Sequence, residues 1–461
     1  MSDQLFPLQR TNKEERNKLL LSAVLFLWTL TVCLPGEYTV DSWSQYDQAV
    51  RGSFTDWYGT GVSFTWRCLW LVTGNYMSLY VALMLMYWAF FTLLVWPVRF
   101  NSFVYWTIMV FGLFFVFIGQ SVMRDNLAAS DWALAVVLFL YAEASTGAGR
   151  RRRNLTLLAL FLLAHGLWVR FNTVAGALPL LYVGILLLSK KRLPLWRHLL
   201  LTFAACLLLF FAQSFMTYKV LKASKAYPEY KWKLLDVAGI TKLTGVNYYP
   251  PEIRNFPQFN LDTVNKEYTP AGVDELYFRP KETAVFPPAS DTIYTALSRS
   301  WKQAIRQHPF LYLRNRLEGF LYYLRLRSRW TTEEYYSSTF FWIQPGNPLD
   351  LKPEPETRLH RAIVALYRKL AYTWLFAPWF WLLLNLIAFV VFARRWHKSR
   401  QTTGEHYWLI QTCVQLSAII LVFSSLPIYQ TDRDFRFFYW NAYVALIAIP
   451  AFFAQKESRL N

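Results

Sequence analysis

The sequence predicts an all-α protein that crosses a membrane about ten times, with a mixed region between the seventh and eighth spans. Its 461 residues are 55% hydrophobic and 19% aromatic, with a mean hydropathy of +0.20, which is more apolar surface than one soluble core buries. Ten stretches nearly free of charge have lengths suited to crossing about 30 Å of hydrocarbon as helices. Lys and Arg cluster in alternate connections between these stretches, as is typical of multi-pass membrane proteins.

The predicted spans divide the chain into three parts. Residues 1–217 form an N-terminal module of seven spans with a first extracytoplasmic loop at 36–75, residues 218–370 form a large extracytoplasmic region, and residues 371–461 hold three more spans. The first apolar stretch lacks a small-residue cleavage site, so we expect it to remain as an anchor. The spans are expected near residues 19–35, 76–98, 102–123, 132–148, 155–169, 173–188, 199–217, 371–393, 407–428 and 437–454.

The positions of the basic residues predict the orientation. With the N-terminus inside, the cytoplasmic pieces hold 19 Lys and Arg residues, whereas the short connections on the other side hold six. Cationic loops resist translocation, so both termini are predicted to be cytoplasmic. Arg150 to Arg153 are interpreted as part of this topology signal, in contact with anionic membrane lipids. The net charge of +19 therefore requires no nucleic-acid partner.

The large region changes composition along its length. Residues 223–298 are rich in Pro, Tyr, Asn and Asp, whereas apolar residues in 299–330 recur near the helical period. We expect an irregular lobe followed by one amphipathic helix, with Pro309 in a first helical turn and the helix at the membrane interface.

Several kinds of site are absent from the sequence. There is no Walker loop, dinucleotide-binding glycine pattern or His-Glu zinc motif at a suitable position, so the chain alone is not expected to drive transport with a nucleotide. The acids of the first loop have no fixed helical spacing, so we expect no required metal, although a divalent cation would be compatible with them.

The first loop carries four carboxylates just after the first span. Sugar transfer to a hydroxyl needs a base for the acceptor proton, and a carboxylate often serves. Asp41 is the main catalytic candidate, and Asp47 and Asp56 are further candidates beside Glu37. Each acid could instead be an ordinary cap or arginine partner, and the aromatic residues could form a membrane-interface belt. The predicted substrate contacts in this loop are Trp43, Gln45, Tyr46 and Trp57.

Arginines follow several spans on the same predicted side. Arg124 precedes Asp125, Arg170 lies beside Asn172 where two spans meet almost without a loop, and two more arginines precede the last span. The planar guanidinium matches phosphate oxygens, so convergent arginines suit a lipid phosphate, with Asn172 as a further substrate contact. Alternatively, Arg124 and Asp125 merely neutralise each other. The predicted phosphate-binding residues are Arg124, Arg170, Arg433 and Arg436.

Two polar residues lie inside predicted spans. Glu143 and His165 could form a proton path, but an interhelical hydrogen bond is the favoured interpretation of each.

Short motifs recur at the outer ends of the predicted spans. They are Asp41-Ser42-Trp43-Ser44-Gln45, Thr55-Asp56-Trp57, Arg124-Asp125, Arg170-Phe171-Asn172 with Pro179-Leu180, Leu235 to Ile240, and Asp434-Phe435-Arg436-Phe437. Taken in this order, they resemble bacterial integral-membrane glycosyltransferases of the GT-C superfamily, which implies a location in a bacterial inner membrane. Where the related pattern continues Asp-Trp with His-Pro-Pro, this chain has Tyr58-Gly59-Thr60 after Trp57, so a role for a histidine there is unfilled.

The resemblance implies a GT-C-like fold and a polyprenyl-phosphate sugar donor. It also implies an essential carboxylate in the first outer loop, a role that falls to Asp41. The acceptor would be a glycan such as lipopolysaccharide, a lipid or a protein, and direct displacement would invert the anomeric centre. Two alternatives stay open: a polymerase or ligase for lipid-linked O-antigen, and a non-enzymatic flippase. A flippase predicts internal repeats and a polar path through the bilayer, and the sequence has no clear repeat between its halves.

Overall fold

The computed structural model describes residues 12–145, 149–189, 194–272, 274–278, 283–327, 343, 345–351, 357–400, 404–428 and 435–453. Within these residues the regular structure is helical, with four isolated β-bridges and no strand. The prediction of an all-α protein is therefore confirmed for the described part of the chain.

The α-helices of the described residues are numbered here in chain order. A π-helical turn, Met216–Val220, continues α10, and a 3₁₀ turn, Phe435–Phe438, leads into α20. The helices are α1 Asn12–Val32, α2 Val40–Arg51, α3 Thr60–Thr73, α4 Ser78–Val95, α5 Phe103–Phe114, α6 Val116–Gln120, α7 Arg124–Ala144, α8 Gly149–Val169, α9 Val174–Leu188, α10 Leu195–Phe215, α11 Glu229–Thr244, α12 Pro251–Arg254, α13 Leu261–Glu267, α14 Asp274–Tyr277, α15 Asp291–Gln307, α16 Pro309–Tyr323, α17 Arg358–Leu370, α18 Pro378–Lys398, α19 Glu405–Ile428 and α20 Tyr439–Phe453.

Six described helical segments are long and apolar enough to cross a membrane, and α5 and α9 are shorter apolar helices. The number of ten spans stays a prediction, because α1 and α8 do not meet this criterion and α5 and α9 are short. The six segments are Ser78–Val95, Arg124–Ala144, Leu195–Val220, Pro378–Lys398, Glu405–Pro427 and Phe435–Phe453.

The third and fourth predicted spans have different bounds from those expected. The third, 102–123, is broken after Phe114, and the chain is extended at Ser121, where its backbone pairs with Glu37. The fourth, expected from residue 132, begins at Arg124. The charged residues of this first part resemble a connection in the sequence. In the structure, Asp125 and Asp131 are buried within α7, where Arg170 and His165 from other segments pair with them.

Helix α7 lies at the centre of the bundle. It packs against α4, α8, α9, α19 and α20. Of its most apolar 18-residue stretch, 78% is buried inside the protein. The segment Leu195–Val220 lies at the edge of the bundle, beside α9. Only 11% of its most apolar 18-residue stretch is buried inside the protein. Its exposed Leu and Phe side chains form the kind of surface that lipid would cover.

The described residues of 223–323 form a helical lobe, and those of 227–301 share a hydrophobic core of their own, which includes Tyr230, Leu234 and Tyr249. The expectation of an irregular lobe at 223–298 holds only between the helices, because α11 to α14 and the first part of α15 lie within it. The single helix expected at 299–330 is also divided. His308 takes non-helical backbone angles between α15 and α16, since a proline within a helix would remove a hydrogen bond. Pro309 does begin a helix, as expected.

The lobe is tied to the chain that follows α2. Thr55 and Ser224 form an isolated β-bridge, and the Asp56 amide donates to the Ser224 carbonyl at 3.1 Å. Below this point, the hydroxyls of Thr60 and Thr217 lie 2.9 Å apart. The first loop is therefore fixed between the helical bundle and the lobe.

Candidate functional site

A short backbone pairing brings two distant parts of the chain together at one end of the bundle. The Glu37 amide donates to the Gln120 carbonyl at 3.0 Å, and the Val122 amide donates to the Glu37 carbonyl at 3.1 Å. The pairing places the first turn of α2 beside the first turn of α7. We call this end of the bundle the site end.

Four charged side chains form a continuous row at the site end. Arg436 Nη1 lies 3.0 Å from Asp41 Oδ2, and Arg436 Nε lies 4.0 Å from Asp125 Oδ2. Asp125 in turn forms an ion pair with Arg170. We call these residues, Asp41, Arg436, Asp125 and Arg170, the charged row. Asp125 is almost fully buried and Asp41 keeps a quarter of its side chain exposed, so the row is open at its Asp41 end.

The local structure explains the positions of Asp41, Asp125 and Arg170 in the charged row. Asp41 lies in the first turn of α2, which Thr39 caps, and Asp125 lies in the first turn of α7. Carboxylates are favourable at helix N-termini, where backbone N–H groups are unpaired. Arg170 follows the last residue of α8, and the Asn172 side-chain oxygen accepts from its Nε at 3.1 Å.

Phe437 is a member of the site that sequence reasoning did not select. The guanidinium of Arg170 lies 4.9 Å from the centre of its ring and that of Arg436 lies 5.3 Å from it. Both distances are in the range of cation–π contacts, so one ring orients two arginines. Arg436, the neighbour of Phe437, was selected from the sequence. No sequence pattern indicates that the Phe437 ring contacts both Arg170 and Arg436.

Arg124 and Tyr58 extend the site towards the first loop. The Arg124 guanidinium lies 5.5 Å from the centre of the Tyr58 ring. Burial raises the pKa of Asp41, but the charges of Arg436 and Arg124 and a hydrogen bond from Tyr58 outweigh it and lower the pKa below its usual value. Burial and the nearby Asp41 carboxylate raise the pKa of Tyr58. Asp41 is therefore ionised at neutral pH and Tyr58 is a neutral hydrogen-bond donor.

The other two predicted catalytic acids lie outside the charged row. Asp47 forms an exposed ion pair with Arg51, one turn further along α2, at 2.7 Å. Asp56 accepts hydrogen bonds from the Tyr218 hydroxyl at 2.8 Å and from the Ala226 amide at 2.6 Å. Its contacts bind the first loop to the lobe. The sequence could not separate the three acids, because their roles depend on which face of α2 Asp41 and Asp47 occupy and on the contacts that Asp56 makes after α2 ends.

Three of the predicted substrate contacts lie in a packed layer behind Asp41. Trp43 stacks on Tyr38 with ring centres 4.8 Å apart, and Tyr46 lies edge-on to Trp43 at 6.1 Å. Gln45 is fully buried one turn after Asp41, and its side-chain amide makes no hydrogen bond within the described part of the chain. The aromatic rings support α2, whereas the Gln45 amide has hydrogen-bonding capacity left for another polar group.

The remaining predicted contacts have different surroundings. Trp57 stacks on Tyr277 of the lobe, with ring centres 6.0 Å apart. Asn172 orients Arg170, as described above. Arg433 lies outside the described residues, so the structure gives it no position.

Glu143 and His165 do not contact each other. His165 Nδ1 lies 2.7 Å from Asp131 on α7, and its Nε2 lies 2.8 Å from the Thr65 hydroxyl on α3. Glu143, near the opposite end of α7, lies 3.6 Å from Arg152 and 3.5 Å from His406. Each residue thus joins helices by a polar contact, and these contacts provide no path between the two residues.

The described residues include no group of three or more His, Cys, Asp or Glu side chains arranged to hold a metal ion. The acids of the first loop in particular are separated by their own partners: Asp41 by Arg436, Asp47 by Arg51 and Asp56 by Tyr218.

No family model, curated protein or solved structure matches this chain. The charges and contacts of the site therefore carry the functional argument.

Proposed function

We propose that this chain is a membrane glycosyltransferase that transfers a sugar from a polyprenyl-phosphate donor to an extracytoplasmic glycan, lipid or protein. The observation that carries the proposal is the charged row, in which the partly exposed Asp41 carboxylate adjoins arginines at one end of an apolar bundle. The same proposal includes a GT-C-like fold with about ten spans, a bacterial inner membrane, and a site end that faces away from the cytoplasm.

The donor phosphate is proposed to bind Arg436 and Arg124, with Arg170 behind them. These cations already neutralise carboxylates, so a phosphate would compete for them rather than meet an empty site. Arg436 is favoured because its guanidinium reaches Asp41 at 3.0 Å and is also oriented by Phe437. Planar guanidinium groups bind phosphate oxygens in pairs of hydrogen bonds, and they stabilise charge on a departing phosphate.

Binding of the donor would also prepare Asp41 for its role. In the free protein, nearby cations lower the pKa of Asp41, which makes it a weak base. A phosphate that takes over Arg436 and Arg124 removes this compensation and adds negative charge nearby, so the pKa of Asp41 rises. The carboxylate therefore becomes a better proton acceptor when the donor is in place.

The transfer step follows from this arrangement. The acceptor hydroxyl oxygen attacks the anomeric carbon and forms the new glycosidic bond, while its proton passes to Asp41. The bond between the anomeric carbon and the phosphate oxygen breaks, and its electron pair remains on the phosphate beside the arginines. A single displacement of this kind inverts the anomeric configuration. No metal is required in this scheme, although a divalent cation beside the phosphate would be compatible with it.

The decisive experiment compares Asp41→Asn with Asp47→Asn in purified protein reconstituted into vesicles. A radiolabelled polyprenyl-phosphate sugar and an envelope glycan acceptor are supplied, and labelled product is measured. We expect Asp41→Asn to lower transfer by at least about a hundredfold, as for loss of a general base. Asp47→Asn should retain most activity, because Asp47 pairs only with exposed Arg51 in the described structure.

Two results would contradict the proposal. Transfer by Asp41→Asn at the wild-type rate would remove Asp41 from the chemistry. Movement of the labelled lipid across the vesicle membrane without any product would identify a flippase instead. Transfer of a whole lipid-linked oligosaccharide, rather than one sugar, would favour the polymerase or ligase.

A further inference from the structure

An aromatic surface lies beside the site end, where the first loop meets the lobe. Trp57 and Tyr277 stack with ring planes 14° apart, and Phe278 lies edge-on to Trp57 at 6.2 Å and to Tyr277 at 5.0 Å. Phe278 is 56% exposed, so part of its ring is accessible to a ligand. We call Trp57, Tyr277 and Phe278 the aromatic platform.

The aromatic platform is connected directly to the charged row. Trp57 contacts Tyr58 edge-on at 6.4 Å, and Tyr58 carries Arg124 over its ring and hydrogen-bonds to Asp41. Trp57 is also held in place, because the preceding Asp56 accepts hydrogen bonds from Tyr218 and from the lobe backbone. A molecule lying on the platform would therefore reach towards Asp41.

Lysines lie on one side of the aromatic platform. Lys231 Nζ lies 5.2 Å from the centre of the Phe278 ring, and its charge also contributes to lowering the pKa of Asp41. Lys222 and Lys225 are exposed on the segment whose backbone bonds to Asp56. Within residues 219–231 the sequence has one acid, Glu229, against four lysines, whereas Asp56 precedes Trp57 and Asp274 and Glu275 precede Tyr277. An occupant whose negative charge lies on the side of the lysines is therefore favoured.

A sugar ring combines an apolar C–H face with polar edges. Such a face packs on aromatic rings, which provide rigid contact area at little cost in conformational entropy. Lys231 lies where it can meet a carboxylate or phosphate on the same molecule. A membrane surface would also attract lysines, but Tyr277 and Phe278 belong to the lobe and stack with Trp57 rather than extending from a span.

We propose that the aromatic platform and Lys231 form the acceptor-binding surface, and that the acceptor is an anionic glycan bearing phosphate or carboxylate groups. This inference rests on the proposed glycosyltransferase function, because it assigns the platform to the acceptor of that reaction. The donor phosphate at Arg436 and Arg124 and the acceptor on the platform would then both adjoin Asp41.

Binding is tested on the full-length protein in nanodiscs of neutral phosphatidylcholine. The probe is the phosphorylated core oligosaccharide released from rough-type lipopolysaccharide, and the neutral probe is the same material after phosphatase treatment. Calorimetry gives the Kd of each. We expect the phosphorylated probe to bind at least about tenfold more tightly, Phe278→Ala to weaken its binding by at least about tenfold, and Lys231→Gln to weaken the phosphorylated probe alone.

Matched variants elsewhere on the lobe provide the controls. Phe310 is an 83% exposed aromatic residue at the start of α16, and Lys266 is an exposed lysine on α13. Phe310→Ala and Lys266→Gln should bind both probes as the wild type does. Equal binding of the two probes by wild type, no binding of either, or unchanged binding by Phe278→Ala would overturn the inference.

Transfer assays on the same variants separate the inference from the proposed function. If wild type transfers sugar and Phe278→Ala has an unchanged acceptor KM, the platform assignment fails while the glycosyltransferase proposal stands. If wild type binds the phosphorylated probe through Phe278 but transfers nothing, the glycosyltransferase proposal fails and the platform is a glycan-binding site of another kind. Loss of binding to anionic vesicles, rather than to the oligosaccharide, in Phe278→Ala would assign the platform to the membrane surface.

Discussion

At the scale of single residues, the ion pairs of the charged row share members, so each pair affects the next. Arg436 contacts Asp41 and Asp125, and Asp125 also pairs with Arg170, so the two middle members of the row each have two charged partners. Phe437 lies against both arginines. A ligand that draws one arginine away changes the electrostatic environment of the others. In the free protein the arginines and carboxylates of the charged row therefore neutralise one another. A bound anion would change these ion pairs.

This coupling predicts a pH dependence that differs between the free and the loaded enzyme. Asp41 must be ionised to accept a proton, so the rate falls as pH decreases through its pKa. Cations lower that pKa in the free protein, and a bound phosphate would raise it. We expect the acidic limb of kcat to lie at higher pH than the acidic limb of kcat/KM for the donor. Superimposable limbs, measured with the reconstituted enzyme, would argue against donor-dependent activation.

Removal of Arg170 should destabilise the fold as well as impair donor binding. Asp125 is 2% exposed, and Arg170→Gln would leave its carboxylate with only the more distant Arg436. Breaking a buried pair from one side costs about 3 kcal/mol. We expect Arg170→Gln to lower the thermal midpoint in detergent and the double variant Asp125→Asn/Arg170→Gln to recover at least half of the loss. An equally unstable double variant would indicate that Arg170 acts through other contacts.

At the scale of helices, close backbone contacts determine where the site residues lie. The first turn of α3 packs directly on the end of α8, since a Cβ added at Gly61 would come within 2.7 Å of backbone atoms of Trp168 and Val169. Below that contact, His165 joins α8 to Asp131 on α7 and to Thr65 on α3. Three helices are thereby fixed just beneath Arg170.

Gly61→Ala is expected to disturb the site without changing any charged residue. The added methyl group meets backbone rather than a flexible side chain, so α3 and α8 must separate, and Arg170 moves with the end of α8. We expect a lower thermal midpoint and at least about a tenfold loss of transfer. Gly149→Ala at the start of α8 is the matched control, because nothing lies within 4 Å of its added Cβ. Equal behaviour of the two variants would contradict this explanation.

Sequence patterns predicted the helical class and several helices, but not the helix boundaries at the site. Apolar runs identified α4, α19 and the Leu195–Val220 segment, because lipid exposure leaves a strong compositional signal. The start of α7 was missed, since Arg124, Asp125 and Asp131 resemble a connection until their partners are known. Asp41 and the arginines were selected by residue type, whereas Phe437, Tyr58 and Lys231 needed the tertiary contacts between distant segments.

At the scale of the whole molecule, charged residues are concentrated at the two ends of an apolar bundle. The charged row and the lobe lie at the site end, and Glu143, Arg152 and His406 meet at the opposite end. The runs of basic residues in the sequence lie near this opposite end, at the start of α8 and the end of α18. If the basic runs lie in the cytoplasm, as the proposal holds, the site end faces away from it.

Cysteine labelling tests the orientation. Lys266 on the lobe and Lys398 at the end of α18 are both exposed, and Cys68 is replaced by serine because it is an exposed free cysteine. A membrane-impermeant maleimide added to spheroplasts should label Lys266→Cys at once and Lys398→Cys only after permeabilisation. The reverse pattern would place the site end in the cytoplasm and remove the extracytoplasmic acceptor from the proposal.

The segment Leu195–Val220 connects the thickness of the bilayer to the geometry of the site. Its 26 residues extend about 39 Å as a helix, which exceeds a hydrocarbon thickness of about 30 Å and requires tilt. Few protein contacts oppose a change of tilt, yet Tyr218 at its end is bonded to Asp56, next to Trp57. Membrane thickness should therefore change the position of the aromatic platform relative to Asp41. We expect the acceptor KM to vary with lipid acyl-chain length as a result. A KM that is constant across vesicles of different thickness would show that the lobe is insensitive to this helix.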